Sequence, residues 1–425
     1  MNILLLGGGG REHALARSIA KSKLCSQLFI APGNPGTAQC GKNISVSATD
    51  FEAIKKLCIH EKVELVVVGP EDPLVKGIYD FFVSDKDLKG IPVIGPSKDA
   101  AQLEGSKAFA KEFMQKHNIP TAAYQSFDVT GYEKGIEFIQ TLNTPVVLKA
   151  DGLAAGKGVL ICNTLEEAEE EFKDMLHGKF GGASEKVVVE EFLHGIEMSV
   201  FVLTDGINYL LLPSAKDYKR IGEGDSGLNT GGMGAISPVP FADELLMKKI
   251  EERMIAPTIE GLQQDKLVYK GFIYFGLMIV NGEPLMIEYN CRMGDPETEA
   301  VLPRIESDLV DLFLGVANEK LNEKKVSISD KHAATIVLTS GGYPGFFEKG
   351  KTISEINSIE DSIIFHAGTT EQNGILQTSG GRVLAITSLA KTLEEALKIS
   401  KTNAGKIQFD NKYFRSDIGF DVLKS

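Results

Sequence analysis

The segment Pro284-Leu-Met-Ile-Glu288-Tyr-Asn290-Cys-Arg292 begins apolar and ends in polar alternation. A strand sends successive side chains to opposite faces. Glu288, Asn290 and Arg292 therefore share one face, and Tyr289 and Cys291 the other. A carboxylate beside an amide oxygen is a hard-oxygen pair suited to Mg²⁺. An arginine one step on can hold a phosphate in transfer. The competing reading is a half-exposed strand with its polar residues in solvent. The glycine-rich surroundings and the following Gly294-Asp295-Pro296-Glu297 favour a site.

Two glycine-rich turns suggest phosphate handling. Gly7-Gly-Gly-Gly-Arg11 follows a short apolar run and opens a helical pattern. Counted as a dinucleotide fingerprint it fails. The sixth position is Glu12 from Gly7 or His13 from Gly8, where a small residue is required. A glycine turn at a helix N-terminus with an arginine beside it suits a single phosphate, through free N–H donors, the helix dipole and a cation. A plain tight turn is the alternative. Gly152-Leu-Ala-Ala-Gly156-Lys157-Gly158 is one residue short of a Walker A loop and has no Ser or Thr after its lysine. Between two strand-like runs it reads as a hairpin flap. Such a flap either folds over nucleotide phosphates or is an ordinary glycine hairpin. Glu190 to Glu197 ends one strand and starts the next, a place for adenine and ribose recognition or a charged turn. The seven histidines have no metal-binding spacing.

These residues need a scaffold. Over the first hundred residues, apolar runs at 3–6, 28–31, 63–68 and 91–94 alternate with helical patterns, and the first four runs of this kind end in glycine or proline. That predicts a parallel sheet covered on both faces, with ligands at its carboxyl edge. Further on, strands are expected at 146–149, 159–162, 187–192, 198–203, 209–212, 272–280 and 285–289. Asp205-Gly206 and Asn281-Gly282 mark hairpin turns. Helices are expected at 165–176, with Thr164 and Glu167 as a capping box, at about 243–262, and at 309–317. Residues 318–331 are polar and lysine-rich, a linker. The tail carries strands at 334–339, 363–366 and 383–387, then a helix capped by Thr392.

With 425 residues the chain has room for about three domains. A net charge of −13, from 45 basic and 58 acidic residues, argues against holding long nucleic acid. Five scattered cysteines without a C-x-x-C pair argue against a disulfide framework or zinc and fit a reducing cytoplasm. No apolar run is long enough to span a membrane, and the start lacks the basic flank of a secretory signal. Glycine is in excess, 44 residues against about 30 at typical usage, and the surplus collects in the turns named above and in 222–234.

Together these segments resemble the phosphoribosylamine–glycine ligases, an ATP-grasp family. The resemblance rests on Gly-Gly-Arg-Glu-His-Ala-Leu-Ala (9–16), Ala-Pro-Gly-Asn (31–34), Gly-Pro-Glu (69–71) and Ala-Ala-Gln-Leu-Glu-Gly-Ser-Lys-Ala-Phe (100–109). It continues with Lys-Ala-Asp-Gly-Leu-Ala-Ala-Gly-Lys-Gly-Val (149–159), Asn-Thr-Gly-Gly-Met-Gly-Ala (229–235) and Asn-Cys-Arg-Met-Gly-Asp-Pro-Glu-Thr (290–298). Gly-Gly-Tyr-Pro-Gly (341–345), Phe-His-Ala-Gly-Thr (365–369) and Gly-Gly-Arg-Val-Leu (380–384) complete it. It implies a multidomain α/β and α+β fold. A pre-ATP-grasp parallel-sheet domain spans 1–103, and a two-part ATP-grasp unit spans 104–325 with a lid at about 121–192. A small C-terminal α/β domain spans 326–425.

The implied reaction joins glycine to 5-phosphoribosylamine at the expense of ATP, through a glycyl phosphate, in purine biosynthesis. The implied partners are small molecules, with neither nucleic acid nor membrane, and the oligomeric state stays open, a monomer being compatible. The resemblance makes Lys107, Lys149, Gly152, Gly156, Lys157, Gly158, Glu190, Leu193 and Glu197 the ATP site. It makes Glu288 and Asn290 the ligands of Mg²⁺, with Mn²⁺ an alternative. Asp217, Lys219, Arg292 and Asp295 are the candidates for glycine and the acyl phosphate. Gly9, Gly10, Arg11, Asn34 and Glu71 are those for phosphoribosylamine. Two departures stand out: Tyr218 where the family commonly has histidine, and Leu228 where it commonly has proline. Tyrosine does not titrate near neutrality, which puts an acid–base role there in doubt.

Overall fold

A computed structural model describes residues 1–152 and 158–423. The first strand, Asn2–Gly7, is buried on both faces: Leu4 and Leu6 enter one core, Ile3 and Leu5 the other. Such a strand must lie inside a sheet covered on both sides. It is the centre of a five-stranded parallel sheet, in the order Lys42–Asn43, Gln27–Pro32, Asn2–Gly7, Leu65–Val68, Val93–Ile94. The strand order reverses between Asn2–Gly7 and Leu65–Val68, where open α/β sheets leave a crevice at their carboxyl ends. The 7–10 glycine turn and Gly69-Pro70 stand on its two sides.

The lid is a four-stranded antiparallel sheet in the order Tyr124–Phe127, Val187–Glu191, Val146–Ala150, Val159–Cys162. Val146, Leu148 and Ala150 pack under the helices Tyr132–Thr141 and Leu165–Leu176. Val147 and Lys149 therefore face the other way, into a cavity. Thr164 caps its helix as expected, accepting from Glu167 N at 3.1 Å. The Glu167 carboxylate reaches back to Asn163 N, at 2.7 Å, rather than to the cap residue itself.

The central sheet is antiparallel, in the order Tyr209–Leu211, Ile196–Thr204, Gly271–Val280, Glu283–Asn290. Asn281 (φ 52°) and Gly282 (φ 78°) form the expected two-residue turn. Met198, Val200 and Val202 share a core with Leu4 and Leu6, so the central and N-terminal sheets are packed through common apolar layers. The helix expected over 243–262 is instead Glu244–Ile250, a π turn Glu251–Ile255 and Ala256–Gln264. Pro257 explains the break, since it has no amide to give the preceding turn.

The glycine-rich stretch 222–234 holds more order than its composition suggests. Arg220–Gly222 pairs with Ser226–Asn229, and Gly234–Ser237 joins the C-terminal sheet. That sheet runs Lys216–Asp217, Gly234–Ser237, His332–Thr339, Arg382–Ala390, Ile363–His366. Two of its strands thus precede the polar 318–331 segment, and Tyr218, Met233 and Ile236 belong to the core of the C-terminal unit. All five cysteines are free thiols. Among the described residues no helix is long and apolar enough to cross a membrane.

Candidate active site

One cavity of about 880 Å³ runs between the lid, the central sheet and the carboxyl edge of the N-terminal sheet. Its outer end is built on the helix Lys107–Lys116. Ser106 caps this helix by accepting from Phe109 N. Asp151, at the end of a lid strand, also ties the helix start down, accepting from Ala108 N at 2.8 Å and Ser106 Oγ at 2.9 Å. Helical spacing then places Lys107, Ala110, Lys111 and Met114 along the cavity wall. Burial lowers the pKa of Lys107, and it lowers that of Lys111 to about 8 against the opposing pull of Glu190.

Glu190 is buried between two lysines. Lys111 Nζ and Lys149 Nζ each approach its carboxylate to 3.0 Å. Burial works against the Glu190 charge, but Lys149 and Lys111 outweigh it and hold the carboxyl below its ordinary range. Lys149 Nζ meets Glu190 Oε1 in this ion pair, and Lys111 Nζ meets Oε2, so both oxygens are held by cations. Leu193, Glu197 and Gly158 line the same end. Gly152 donates its N–H to Ala183 O and accepts from Lys107 Nζ at 3.4 Å. Gly156 and Lys157 lie outside the described residues.

At the middle of the cavity the 283–290 strand departs from strict alternation. Its register against Gly271–Val280 shifts between Gly276 and Leu277, so Glu288 pairs with Gly276 and Met286 with Leu277. Ile287 is the extra residue of a β-bulge. Met286 lies in the core, while Ile287 and Glu288 both line the cavity. From Glu288 onward the expected alternation holds: Asn290 and Arg292 line the cavity, and Tyr289 and Cys291 are buried in the core. Among the described residues no hydrogen bond or ion pair reaches the Glu288 carboxylate or the Asn290 amide. Two neighbouring, unengaged oxygen donors fit a Mg²⁺ ion that keeps its other positions for phosphate and water. No group of three His, Cys, Asp or Glu side chains among the described residues could hold a metal by itself.

Arg292 is anchored by acids far away in sequence. Its Nη2 is 2.7 Å from Glu104 Oε1, and its Nε 3.3 Å from Glu71 Oε2. Glu104 also accepts from Cys291 N at 2.8 Å, fixing the backbone beside the arginine. Arg11 Nη2 lies 3.8 Å from Glu71, and Arg11 Nη1 donates to Met293 O at 3.2 Å. Burial disfavours the Glu71 charge, but Arg292 and Arg11 outweigh it and keep that carboxyl low.

Beside Arg292 is an acidic recess. Lys219 Nζ is 2.8 Å from Glu197 Oε2. Asp217 and Glu297, both buried, have no ion-pair partner among the described residues. Burial raises the pKa of Asp217, and burial together with Asp217 pushes Glu297 up to about 7. Asp295 is different: Arg382, from the C-terminal sheet, lies 3.1 Å from its Oδ1. Against burial, Arg382 and Arg11 hold the Asp295 carboxyl low. Arg382 also donates to Gly231 O at 2.6 Å and Asp295 O at 2.7 Å.

The N-terminal glycine turn differs from its expected form. Gly9 N–H is already taken by Glu12 Oε2 at 2.6 Å, and Arg11 N–H points to Asp295 Oδ2 at 3.5 Å. The Gly9 donor is engaged because Glu12, where a dinucleotide site needs a small residue, folds back on its own turn. A Cβ at Gly10 would lie 2.2 Å from Glu299 Oε1, so a larger residue would have to displace that buried carboxylate. Asn34 is 7% exposed. Its amide N–H groups go to Gly8 O at 2.9 Å and His366 O at 2.7 Å, and its oxygen accepts from Gly36 N and Thr37 N. It braces the turn against the C-terminal unit. Arg11 and Glu71 line the cavity; Gly9, Gly10 and Asn34 stand behind it.

Comparison with known proteins names this architecture. Models of the phosphoribosylglycinamide synthetase N domain, ATP-grasp (A) domain and C domain match residues 1–104, 105–298 and 333–421. The chain belongs to the phosphoribosylglycinamide synthetase family. Phosphoribosylamine–glycine ligase of Haemophilus influenzae is 46% identical over 430 residues, covering 100% of this chain and 99% of the relative. That of Chlorobaculum tepidum is 46% identical with 100% of both chains covered. The crystal structure of the Thermotoga maritima phosphoribosylamine–glycine ligase superposes with a TM-score of 0.86 at 36% identity, over 98% of this chain and 100% of that one. A biotin carboxylase from Campylobacter jejuni shares the fold alone, with a TM-score of 0.73 at 14% identity over 100% of this chain and 95% of that one.

Within this family member, the cavity gathers Lys107, Lys149, Glu190, Leu193, Glu197, Asp217, Lys219, Glu288, Asn290, Arg292 and Asp295 on one surface. Four further cavity residues escaped the residue-by-residue reading. Lys111 was accessible from helical spacing, one turn after Lys107. Glu104, Glu297 and Arg382 sit inside the quoted motifs but carry no local signal of their charge partners. Tyr218 is 1% exposed, and its hydroxyl donates to Asp421 at 2.7 Å. Burial and that bond raise its pKa, which removes it from acid–base chemistry near neutrality.

Proposed function

We propose that the protein is an ATP-dependent ligase that joins glycine to 5-phosphoribosylamine, giving glycinamide ribonucleotide, ADP and phosphate in purine biosynthesis. What carries this reading is a single continuous cavity with Lys107, Lys111 and Lys149 at one end and Arg11 and Glu71 at the other. The unengaged Glu288 and Asn290 and the anchored Arg292 lie between them. Full-length similarity to relatives named phosphoribosylamine–glycine ligase supports the choice of substrates.

The proposed chemistry follows from the difficulty of the bond. A carboxylate resists nucleophiles until one oxygen becomes a leaving group. A glycine carboxylate oxygen attacks the γ-phosphorus of ATP and ADP departs, leaving glycyl phosphate. The amine of phosphoribosylamine attacks the carbonyl carbon. The C–O bond breaks, phosphate leaves, and the amine nitrogen gives up its proton to the departing phosphate. Lys107 and Lys149 hold ATP phosphates. Glu190 and Leu193 receive adenine, and Glu197 the ribose. Arg292 steadies the transferred phosphate, since a guanidinium fork matches its oxygens. Asp217, Lys219 and Asp295 surround the glycine, and Arg11 and Glu71 meet the phosphoribosylamine, with Gly9, Gly10 and Asn34 shaping that wall. Mg²⁺, or Mn²⁺ in its place, would be held by Glu288 and Asn290 and would offset charge on the phosphates. The units we propose are 1–103, 104–325 and 326–425, with a lid at about 121–192. Five free cysteines are in keeping with a reducing cytoplasm.

Purified protein given ATP, Mg²⁺, glycine and phosphoribosylamine should release phosphate only with all four, in step with ribonucleotide product. Phosphate release that ignores glycine, with no ribonucleotide formed, refutes the reading.

A further inference from the structure

We propose that Asp421, near the end of the chain, is a positioning residue: it holds Lys216 away from Asp217 and Glu197, and so leaves that acid pair to Lys219. The inference rests on the ligase reading for the identity of the substrates. It goes beyond that reading by giving the C-terminal segment a part in the reaction.

Two lysines stand near Asp217, and their partners differ. Lys219 Nζ is 2.8 Å from Glu197 Oε2, and Asp217 is the foremost of its electrostatic partners. Lys216 is 6% exposed and lines the same cavity. Its one ion pair among the described residues is with Asp421, whose Oδ2 lies 3.3 Å from Nζ. The other oxygen of Asp421 accepts from the Tyr218 hydroxyl at 2.7 Å. Lys216 Nζ also stands 4.7 Å from the centre of the Tyr218 ring. Asp421 thus ties down both chain neighbours of Asp217.

Asp421 is itself fixed in place. Buried Arg415 donates to Asp417 Oδ1 at 2.8 Å, to Asp225 Oδ1 at 2.6 Å and to Arg220 O at 3.1 Å. Asp417 Oδ2 accepts from Gly224 N at 2.7 Å, and Ser416 Oγ donates to Glu223 Oε1 at 2.5 Å. The segment 415–421 is in this way fastened along the 220–225 loop, and it delivers Asp421 to the cavity wall.

The need for such a holder follows from the charges. Asp217 and Glu197 are two acids sharing Lys219, and both feel the charge of Lys216 as well. A buried ammonium without its own carboxylate is costly. Freed from Asp421, Lys216 has a flexible four-carbon stem and a net negative pair nearby. It would then compete with Lys219 for those two carboxylates. A carboxylate at 421 prevents this, because attraction grows as the distance shrinks and Asp421 is the acid in contact.

The test compares wild type with Asp421→Asn, Lys216→Gln and the double variant. Asparagine keeps the shape and an acceptor for Tyr218, so only the charge is removed. In Asp421→Asn, kcat/KM for glycine should fall about tenfold, the worth of one charged contact. Lys216→Gln should stay within about twofold of wild type, and the double variant should recover to within about threefold, because the stray ammonium is gone. Recovery separates positioning from mere support of the fold, which Lys216→Gln cannot restore. A loss that persists in the double variant overturns the proposal, and so does no loss in Asp421→Asn. If Asp421→Asn fails to fold, the double variant decides: it should fold and work, and its failure overturns the proposal. If wild type ignores glycine, the ligase reading fails, and a crystal structure of Asp421→Asn decides instead. Lys216 Nζ turned to Asp217 or Glu197 supports the assignment, and Lys216 unmoved overturns it.

Discussion

Replacing Glu190 by glutamine isolates two buried lysines at one stroke. Lys111 and Lys149, with side chains 2% and 7% exposed, each approach the Glu190 carboxylate to 3.0 Å. At an effective dielectric of about 20, a unit pair at that distance attracts by roughly 5 kcal/mol before desolvation is counted. Removing one partner of a buried pair costs about 3–5 kcal/mol, because the other charge is stranded. One escape lowers the cost. Lys111 already titrates near 8 through burial, so without Glu190 it sheds its proton at neutral pH. We therefore expect a loss of about 3 kcal/mol, a large share of a typical stability of about 5–15 kcal/mol. Urea unfolding followed by circular dichroism at pH 7 should show it, alongside a raised KM for ATP. Asp72→Asn, which breaks an exposed pair with Lys76 at 2.8 Å, should change stability by less than about 0.5 kcal/mol. A Glu190→Gln loss no greater than that of the control, with ATP affinity intact, would refute the reasoning.

Other expectations concern separate parts of the molecule. Glu288→Gln should raise the Mg²⁺ concentration for half-maximal turnover by about tenfold; a Mg²⁺ titration at saturating ATP checks this, and an unshifted curve removes Glu288 from the metal site. Gly294→Ala should cost about 1–3 kcal/mol by overpacking against Glu297, read by thermal unfolding. Arg382→Ala leaves Asp295 without its strongest cation; kcat/KM should fall at least about tenfold although the residue lies in the C-terminal unit. His13 and His366 are buried and held neutral, with pKa values lowered to about 3 and about 4 by burial. The unfolded chain takes up these protons first, near 6.5. Stability is therefore full above about pH 6.5 and is lost toward pH 4, by about 1.4 kcal/mol per pH unit for each histidine. Unfolding of His13→Gln across that range should be the less pH-dependent of the two proteins.

Local patterns were legible where one neighbour decides a conformation. Asn281-Gly282 dictates its turn because both residues tolerate positive φ. Thr164 and Thr392 start helices because their hydroxyls reach an amide three residues on. The helix over 309–317 needed only apolar spacing, and Leu309–Ala317 is where it lies. Glu288, Asn290 and Arg292 share a face because a strand has period two. That argument says nothing of the bulge at Ile287, which depends on how Gly271–Val280 lies alongside. Composition likewise marked 222–234 as loop, while pairing with His332–Thr339 draws its end into a sheet.

What the sequence by itself determined was the local chemistry: strand-end glycines, oxygen donors on one face, lysines in phosphate-binding surroundings, and the family to which the motifs belong. Only the tertiary structure decided how those charges are spent. Asn34, expected at the substrate, uses its hydrogen bonds to brace the turn. Arg292 is anchored by Glu71 and Glu104, about two hundred residues earlier, and Asp295 by Arg382 from the last unit. Glu297, close to both in sequence, has no ion pair among the described residues, and burial beside Asp217 raises its pKa. Whether a buried charge is matched or stranded depends on what lies within about 4 Å, because Coulomb attraction and desolvation both act through space and not along the chain.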